Sequence, residues 1–346
     1  MEKIVHLIWT LEAGGSENML VDIANEQTRY ADVTIILINR KFNTDLIKRI
    51  DSKVHFYALN RSAGNKRSMW FLFRLWNLLL KIQPQVIHCH NHSIIRLLPL
   101  FRKRTVLTIH CLNVSPVHLT KYRKVYAISG AVADDIRQRT GIVSPVVLNG
   151  INFKDISPRH HYEAGSIKLV QVGRLVHELK GQDLLLQALK KIIDQHHHVT
   201  LDFVGNGPSL SYLQELTASL GLNNHVTFLG EKNRNWIYHH LSAYNILIQP
   251  SRFEGFGLTV LEGIAAGLPV IASDQAGPSE ILQNMPGGYL FRSGDADDLA
   301  VTIQQVITQL QEGTMQQVCV TSREIADAKY SVRRTAFEYM EQYGQL

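Results

Sequence analysis

Residues 245–263 read "NILIQPSRFEGFGLTVLEG". Its apolar run, Ile246 to Ile248, is stopped at Pro250-Ser251, as a buried strand would be. Leu258 to Ala266 then has the spacing of a short helix, closed by Gly267 and Pro269. Strand, glycine-containing loop and helix make the repeating unit of a parallel sheet covered by helices. The same stretch holds two carboxylates, Glu254 in the loop facing the helix N-terminus and Glu262 one turn inside the helix. A helix N-terminus attracts anions by about 0.3–1 kcal/mol per contact, so either glutamate can serve only as a cap. A carboxylate beside a ribose has a second use, because it accepts hydrogen bonds from both hydroxyls of a diol.

The unit recurs along the chain. In the first half "KIVHLIWT", "DVTIILIN", "VHFYAL", "QVIHCH", "TVLTIH", "KVYAIS" and "VVLNG" read as strands. "SENMLVDIANEQ", "SMWFLFRLWNLLLKI" and "GAVADDIRQRT" have helical spacing. The pattern restarts with "IKLVQVG", "VTLDFVG", "HVTFLG", "NILIQPS" and "PVIAS". Between the halves, "NFKDISPRHHYEAGS" is polar, with Pro158 and Gly165, and reads as a linker. The expected fold is therefore α/β: two doubly wound, Rossmann-like domains facing each other across a cleft, with ligands at the C-terminal ends of the strands. The expected boundaries are 1–155 and 166–325, with a helix in 326–346 packing back on the first domain. No repeat of solenoid period and no low-complexity tract competes with this reading.

Bulk properties agree with a folded two-domain protein: 346 residues, 45% apolar and 19% charged. Three cysteines, Cys89, Cys111 and Cys319, lack zinc-ribbon spacing, and their odd number fits a reducing compartment better than a disulfide framework. The start "MEKIVHLIWTLEAGG" has no small-residue cleavage site, so no secretory leader is expected. "MWFLFRLWNLLL" is too short to span a bilayer and carries Arg74 and Asn77. The net charge of +6 is unevenly spread: residues 1–150 hold 21 Lys/Arg against 10 Asp/Glu, and the remainder 15 against 20. No acidic residue lies between Asp51 and Asp134, against 13 Lys/Arg. That imbalance implies an anionic partner, whether a membrane surface, an anionic glycan or nucleic acid.

Candidate site residues fall where strands meet helices. "WTLEAGGSENML" puts Gly14 and Gly15 between the first strand and the first helix, where backbone without a Cβ can approach a phosphate. It is neither a GxGxxG nor a Walker motif, and a plain turn explains it nearly as well. "QVGRLVHELKGQDLLLQAL" puts Arg174 and Lys180 in the equivalent place of the second half, where a guanidinium fork and a point charge suit a diphosphate and surface salt bridging is the plainer alternative. His110 ends the strand "TVLTIH". "HCHNH" (His88, His90, His92) and "HHH" (196–198) raise the question of a metal, but no carboxylate or cysteine completes a set, and none is expected. The D-x-D pair Asp295/Asp297 in "SGDADDLAVTI" is read as a helix N-cap.

Together, "AGGSEN", "GRL" with the following "KG", "PSRFEGFGLTVLEGIAAGLPVIAS" and "GPSEI" resemble the retaining family-4 glycosyltransferases, which have the GT-B fold. The resemblance covers nearly the whole chain, and the Glu254-to-Glu262 element is its most specific part. Gly263 stands where that family usually has alanine. The resemblance implies transfer of a hexosyl or N-acetylhexosaminyl group from a nucleoside diphosphate sugar, with retention of configuration and with neither metal nor cofactor. It implies that Arg174 and Lys180 hold the diphosphate, Glu262 the ribose, and that Glu254 and His110 lie by the donor sugar. Catalytic roles would fall to Glu254, His110, Arg174 and Lys180. Gly14 and Gly15 would supply backbone near the phosphates, as would Gly255, Phe256, Gly257 and Leu258 between the two glutamates, while backbone near Gly205, Asn206 and Lys232 would lie by the base. In such enzymes the leaving phosphate oxygen draws the acceptor's proton, so stabilising the leaving group carries much of the rate.

The N-terminal domain would bind the acceptor, a glycan or lipid-linked glycan of bacterial surface polysaccharide assembly, including lipopolysaccharide. The enzyme would be cytoplasmic and peripheral on the inner leaflet. Alternatives are a non-catalytic partner subunit of the same fold and a nucleotide-sugar epimerase. A glycoside hydrolase needs no phosphate grip, and no nucleic-acid motif accompanies the basic half.

Overall fold

The inner strands are apolar runs because helices cover both faces of each sheet there, so few of their positions can face water. The computed structural model describes residues 2–12, 14–62, 70–162, 165–194 and 198–346. It divides into two units, Met1–Ile151 with Tyr330–Leu346, and Asn152–Lys329.

The first unit contains β1 (Glu2–Ile8), β2 (Ala31–Asn39), β3 (His55–Arg61), β4 (Val86–Cys89), β5 (Thr105–Ile109) and β6 (Lys124–Ala127). They form one parallel sheet of order β3-β2-β1-β4-β5-β6. The second contains β7 (Ile167–Val172), β8 (Val199–Val204), β9 (Val226–Gly230), β10 (Ile246–Gln249), β11 (Val270–Ser273) and β12 (Gly288–Phe291). Their order, β12-β11-β10-β7-β8-β9, repeats the same winding. Each unit is thus Rossmann-like. In each, the order reverses beside the first strand, between β1 and β4 and between β7 and β10, the place where open sheets of this kind take their ligands, at the strand C-terminal ends.

The helix Val332–Gly344 belongs to the first unit and packs on Gly15–Gln27. Tyr339 and Tyr343 are buried, bonding Thr108 and His88.

Three local expectations need correction. "VVLNG" forms no strand; Val146 makes a single bridge to Ala127. Gly150 instead lies tight against the backbone of Tyr330 and Ser331, where a Cβ would collide with it. The second sheet has a sixth strand, β12, whose residues "GYLF" are too short a run to stand out. The polar 152–166 segment is more than a linker: Phe153, Ile156 and Tyr162 are buried in the second unit, and the Tyr162 hydroxyl donates to the Gly267 carbonyl at 2.7 Å.

Candidate active site

In the second unit the loops after β7 and β10 meet at the switch point. Gly173 has φ of +154° and Gly205 +147°, both in the region that favours glycine. A Cβ on Gly205 would collide with the Gly173 carbonyl, and one on Gly207 with that of Leu175. The Gly205–Gly207 turn therefore backs the Arg174 loop directly, with Leu175 N–H donating to Asn206 O at 3.1 Å. The Arg174 side chain is exposed and, among the described residues, has no ion-pair or hydrogen-bond partner.

The short helix His177–Lys180 ends at Gly181, with φ of +67°. A Cβ there would strike the Pro250 carbonyl, so glycine lets this turn press against the loop that follows β10. Backbone N–H groups of Arg252 and Phe253 both donate to Leu179 O, at 2.8 and 3.2 Å. Arg252 forks onto Asp183, with both nitrogens donating at 2.8 Å, and its Nη1 also reaches His177 O at 2.7 Å. Held this way, Lys180 Nζ pairs with Glu254 Oε2 at 2.5 Å. Arg252 and Asp183 are not singled out by sequence reasoning, although Arg252 lies inside the stretch that decides the fold.

The glycine loop continues to Gly257, φ +100°, which begins the helix Leu258–Ala265 without a side-chain cap. Gly277 packs so closely on Phe256 and Gly255 that no Cβ fits. Phe256 is buried and anchors the loop, and Glu262 stands partly exposed one turn into the helix. Gly263 has a reason of its own: a Cβ would lie 3.0 Å from Leu247 and Val270, so the helix sits closer to β10 and β11 than alanine easily allows. The structure thus brings Lys180 and Glu254 together and puts Arg174 and the Gly257 helix start on adjacent loops. Lys232 lies over the Trp236 ring, 5.4 Å from its centroid, and Asp295 caps its helix through the N–H groups of Asp297 and Asp298.

In the first unit Gly14 precedes the helix Gly15–Gln27 with ordinary extended backbone, φ −90° and ψ 166°. The Glu17 carboxylate occupies the space a Cβ on Gly14 would need, and Ser16 Oγ donates to it at 2.7 Å. That helix end already carries an acidic group.

His110 follows β5 at the same sheet edge and joins a buried cluster. His6 on β1 is in register with His88 on β4. His6 Nε2 lies 2.7 Å from Gln27 Oε1, and His6 Nδ1 lies 3.0 Å from His90 Nε2. His90 Nδ1 lies 3.1 Å from His110 Nε2. His88 contacts Tyr343 and Thr108 hydroxyls at 2.5 and 2.7 Å. Burial pushes the His6 and His110 imidazoles down to about 4, the Gln27 bond partly opposing this at His6. His88 and His90 are lowered too, by burial first and by neighbouring imidazoles second. The ring nitrogens of His6, His88 and His90 lie close enough to hold an ion, yet every one already has a hydrogen-bond partner that an ion would displace. The sequence signal for His6 is a single polar residue amid "KIVHLIWT", too slight to single it out. His196 and His197 lie outside the described residues.

Comparison with known proteins places this geometry. Residues 13–155 match the model of Glycosyltransferase Family 4, and residues 152–317 that of Glycosyl transferases group 1. The chain is 30% identical to a glycosyltransferase of Methanocaldococcus jannaschii, MJ1607, over half of this chain and 43% of that protein. It is 25% identical to the lipopolysaccharide core biosynthesis glycosyltransferase LpsD of Rhizobium meliloti, over 88% of each chain. Among solved structures, Anabaena Alr3699/HepE in complex with UDP and glucose superposes with a TM-score of 0.84 at 19% identity, over 100% of both chains. The two Rossmann-like units are those of the GT-B class. The chain belongs to the family-4 glycosyltransferases. It spans less than half the length of MJ1607.

Proposed function

We propose that this protein is a retaining glycosyltransferase that takes a sugar from a nucleoside diphosphate sugar. The observation that carries this reading is the β7/β10 switch point, where Arg174, without an ion-pair partner among the described residues, and the Lys180–Glu254 pair lie on the loops that lead to the start of the Leu258–Ala265 helix, which no side chain caps. Cations and open N–H groups suit a diphosphate, and they count most as leaving-group charge develops. Glu254 would face the donor sugar and Glu262 the ribose. Incubation with a panel of nucleoside diphosphate sugars, scored for slow hydrolysis, tests the reading. No turnover of any donor, in a protein that still binds the diphosphate, would favour a non-catalytic member of the fold.

The two glutamates are expected to fail differently. Glu262→Gln should weaken donor binding about two- to tenfold, the worth of a hydrogen bond. Glu254→Gln should lower turnover more than affinity, because charge beside the sugar develops only during transfer. Identical changes in kcat and KM for both variants would contradict this division.

The acceptor we propose is a glycan, presented on a lipid in bacterial surface polysaccharide assembly. No helix among the described residues is long and apolar enough to cross a membrane. The helix Trp70–Ile82 buries Phe71, Leu75 and Leu79 but leaves Trp70, Phe73 and Leu80 at least 60% exposed. Their spacing puts them along one helix side, and exposed Leu100 precedes the basic turn Arg102–Arg104. Aromatic anchors beside cations suit the headgroup region of an anionic leaflet, where each basic group adds roughly 1 kcal/mol. Lys66 and Arg67, which precede this helix in the sequence, lie outside the described residues. Co-sedimentation with anionic vesicles should exceed that with neutral vesicles at low salt and fall at high salt. Equal binding to both at low salt would remove the docking proposal.

A further inference from the structure

The cluster around His110 has a direction. A carbonyl oxygen only accepts, so the contact of Gln27 Oε1 with His6 Nε2 puts a proton on His6 Nε2. A neutral imidazole has one N–H, and His6 Nδ1 is therefore an acceptor. It must receive its bond from His90 Nε2–H. By the same rule His90 Nδ1 accepts from His110 Nε2–H. His110 Nδ1 is then left as a lone pair, and it is buried with no hydrogen-bond partner among the described residues. Buried polar atoms in folded proteins are nearly always satisfied, so an orphan of this kind needs an explanation.

We propose that Gln27, His6 and His90 are positioning residues: a one-way hydrogen-bond wire that holds His110 as the Nε2–H tautomer and presents its Nδ1 as an acceptor to a hydroxyl of a bound ligand. The last clause rests on the proposed function; the wire does not. Burial supports the scheme by keeping the imidazoles neutral, since a protonated member would have two donors and break the chain. His110 would then orient a hydroxyl and would not deliver a proton.

Each ring must follow its neighbour, so the wire can be reversed from its far end. In Gln27→Leu the His6 Nε2 proton loses its acceptor, and both directions of the wire then leave one N–H without a partner, at His6 or at His110, so the preference for a single direction is lost. In the reversed state His6 donates to His90, His90 to His110, and His110 is the Nδ1–H tautomer. Gln27→Glu keeps an acceptor and should not reverse the order.

Long-range proton–nitrogen correlation spectra of the full chain labelled with 15N-histidine at pH 7.5 read each tautomer directly, with His110→Gln assigning the resonance. The wild type should show His110 protonated on Nε2, and Gln27→Leu should show the Nδ1–H form beside it. A wild-type His110 protonated on Nδ1 overturns the proposal, whether or not the leucine variant folds. So does a folded Gln27→Leu protein in which the Nδ1–H form of His110 does not rise. With an active donor, Gln27→Leu should lower kcat/KM about two- to tenfold, and Gln27→Glu should restore most of it. Correct tautomers in a protein that turns over no nucleoside diphosphate sugar would uphold the wire and count against the proposed function alone.

Discussion

Lowering the pH from 7 to 4.5 is expected to unfold the first unit while the second retains its protected sheet. The three histidines buried among the described residues, His6, His88 and His90, are all in the first unit. The sign follows from linkage: a histidine with a depressed folded value binds its proton more readily when unfolded. Its contribution is complete above the unfolded value of 6.5 and is lost as the pH falls from there toward about 4, the value for His6 and His110. At pH 4.5 each of these two loses about 2.5 kcal/mol. Together that is about 5 kcal/mol, the lower end of a whole domain's stability, before His88 and His90 are counted. Pulse-labelled hydrogen exchange after incubation at each pH, read in peptides from β1 and β4 and from β7 and β10, checks this. Full protection of β1 and β4 at pH 4.5, or loss in both units together, would show that the imidazole cluster is not the acid-sensitive element.

Arg174→Ala and Lys180→Ala are expected to weaken binding of nucleoside diphosphates by tenfold to hundredfold each, with far-UV circular dichroism unchanged. The basis is one charge-assisted contact to a phosphate per side chain, about 1.5–3 kcal/mol. The larger loss should be at Lys180. Its removal also leaves Glu254, which lies 2.5 Å from the ammonium, as an unneutralised carboxylate beside an anionic ligand. Adding Glu254→Gln to Lys180→Ala should therefore recover part of the lost affinity, a non-additivity expected of residues in contact. Arg174 has no such partner among the described residues, so its loss should not be rescued by Glu254→Gln. Calorimetry with UDP and GDP provides the measurement. Unchanged affinity in both single variants would remove the diphosphate site from this switch point.

Much of the second unit's site is legible in the chain because it is local. Pro250-Ser251, the glycines Gly255 and Gly257, and the helix to Ala265 follow one another directly, and backbone preference alone dictates strand, loop and helix there. The same holds for the winding: continuous apolar runs separated by helical spacing leave a parallel sheet as the economical arrangement, and both sheets form. Where local signals are weak the expectation fails, as at β12 and at "VVLNG".

What only the tertiary structure decided are the pairings between segments far apart in sequence. Lys180 meets Glu254 across 74 residues and Arg252 meets Asp183 across 69, because β10 lies beside β7. His6 meets His90 across 84 because β4 lies beside β1. Periodicity reports which face of an element is buried, but it does not report which strand is its neighbour. That choice depends on the packing of the whole sheet, and in this protein it joins a lysine to a glutamate and His110, through His90 and His6, to Gln27.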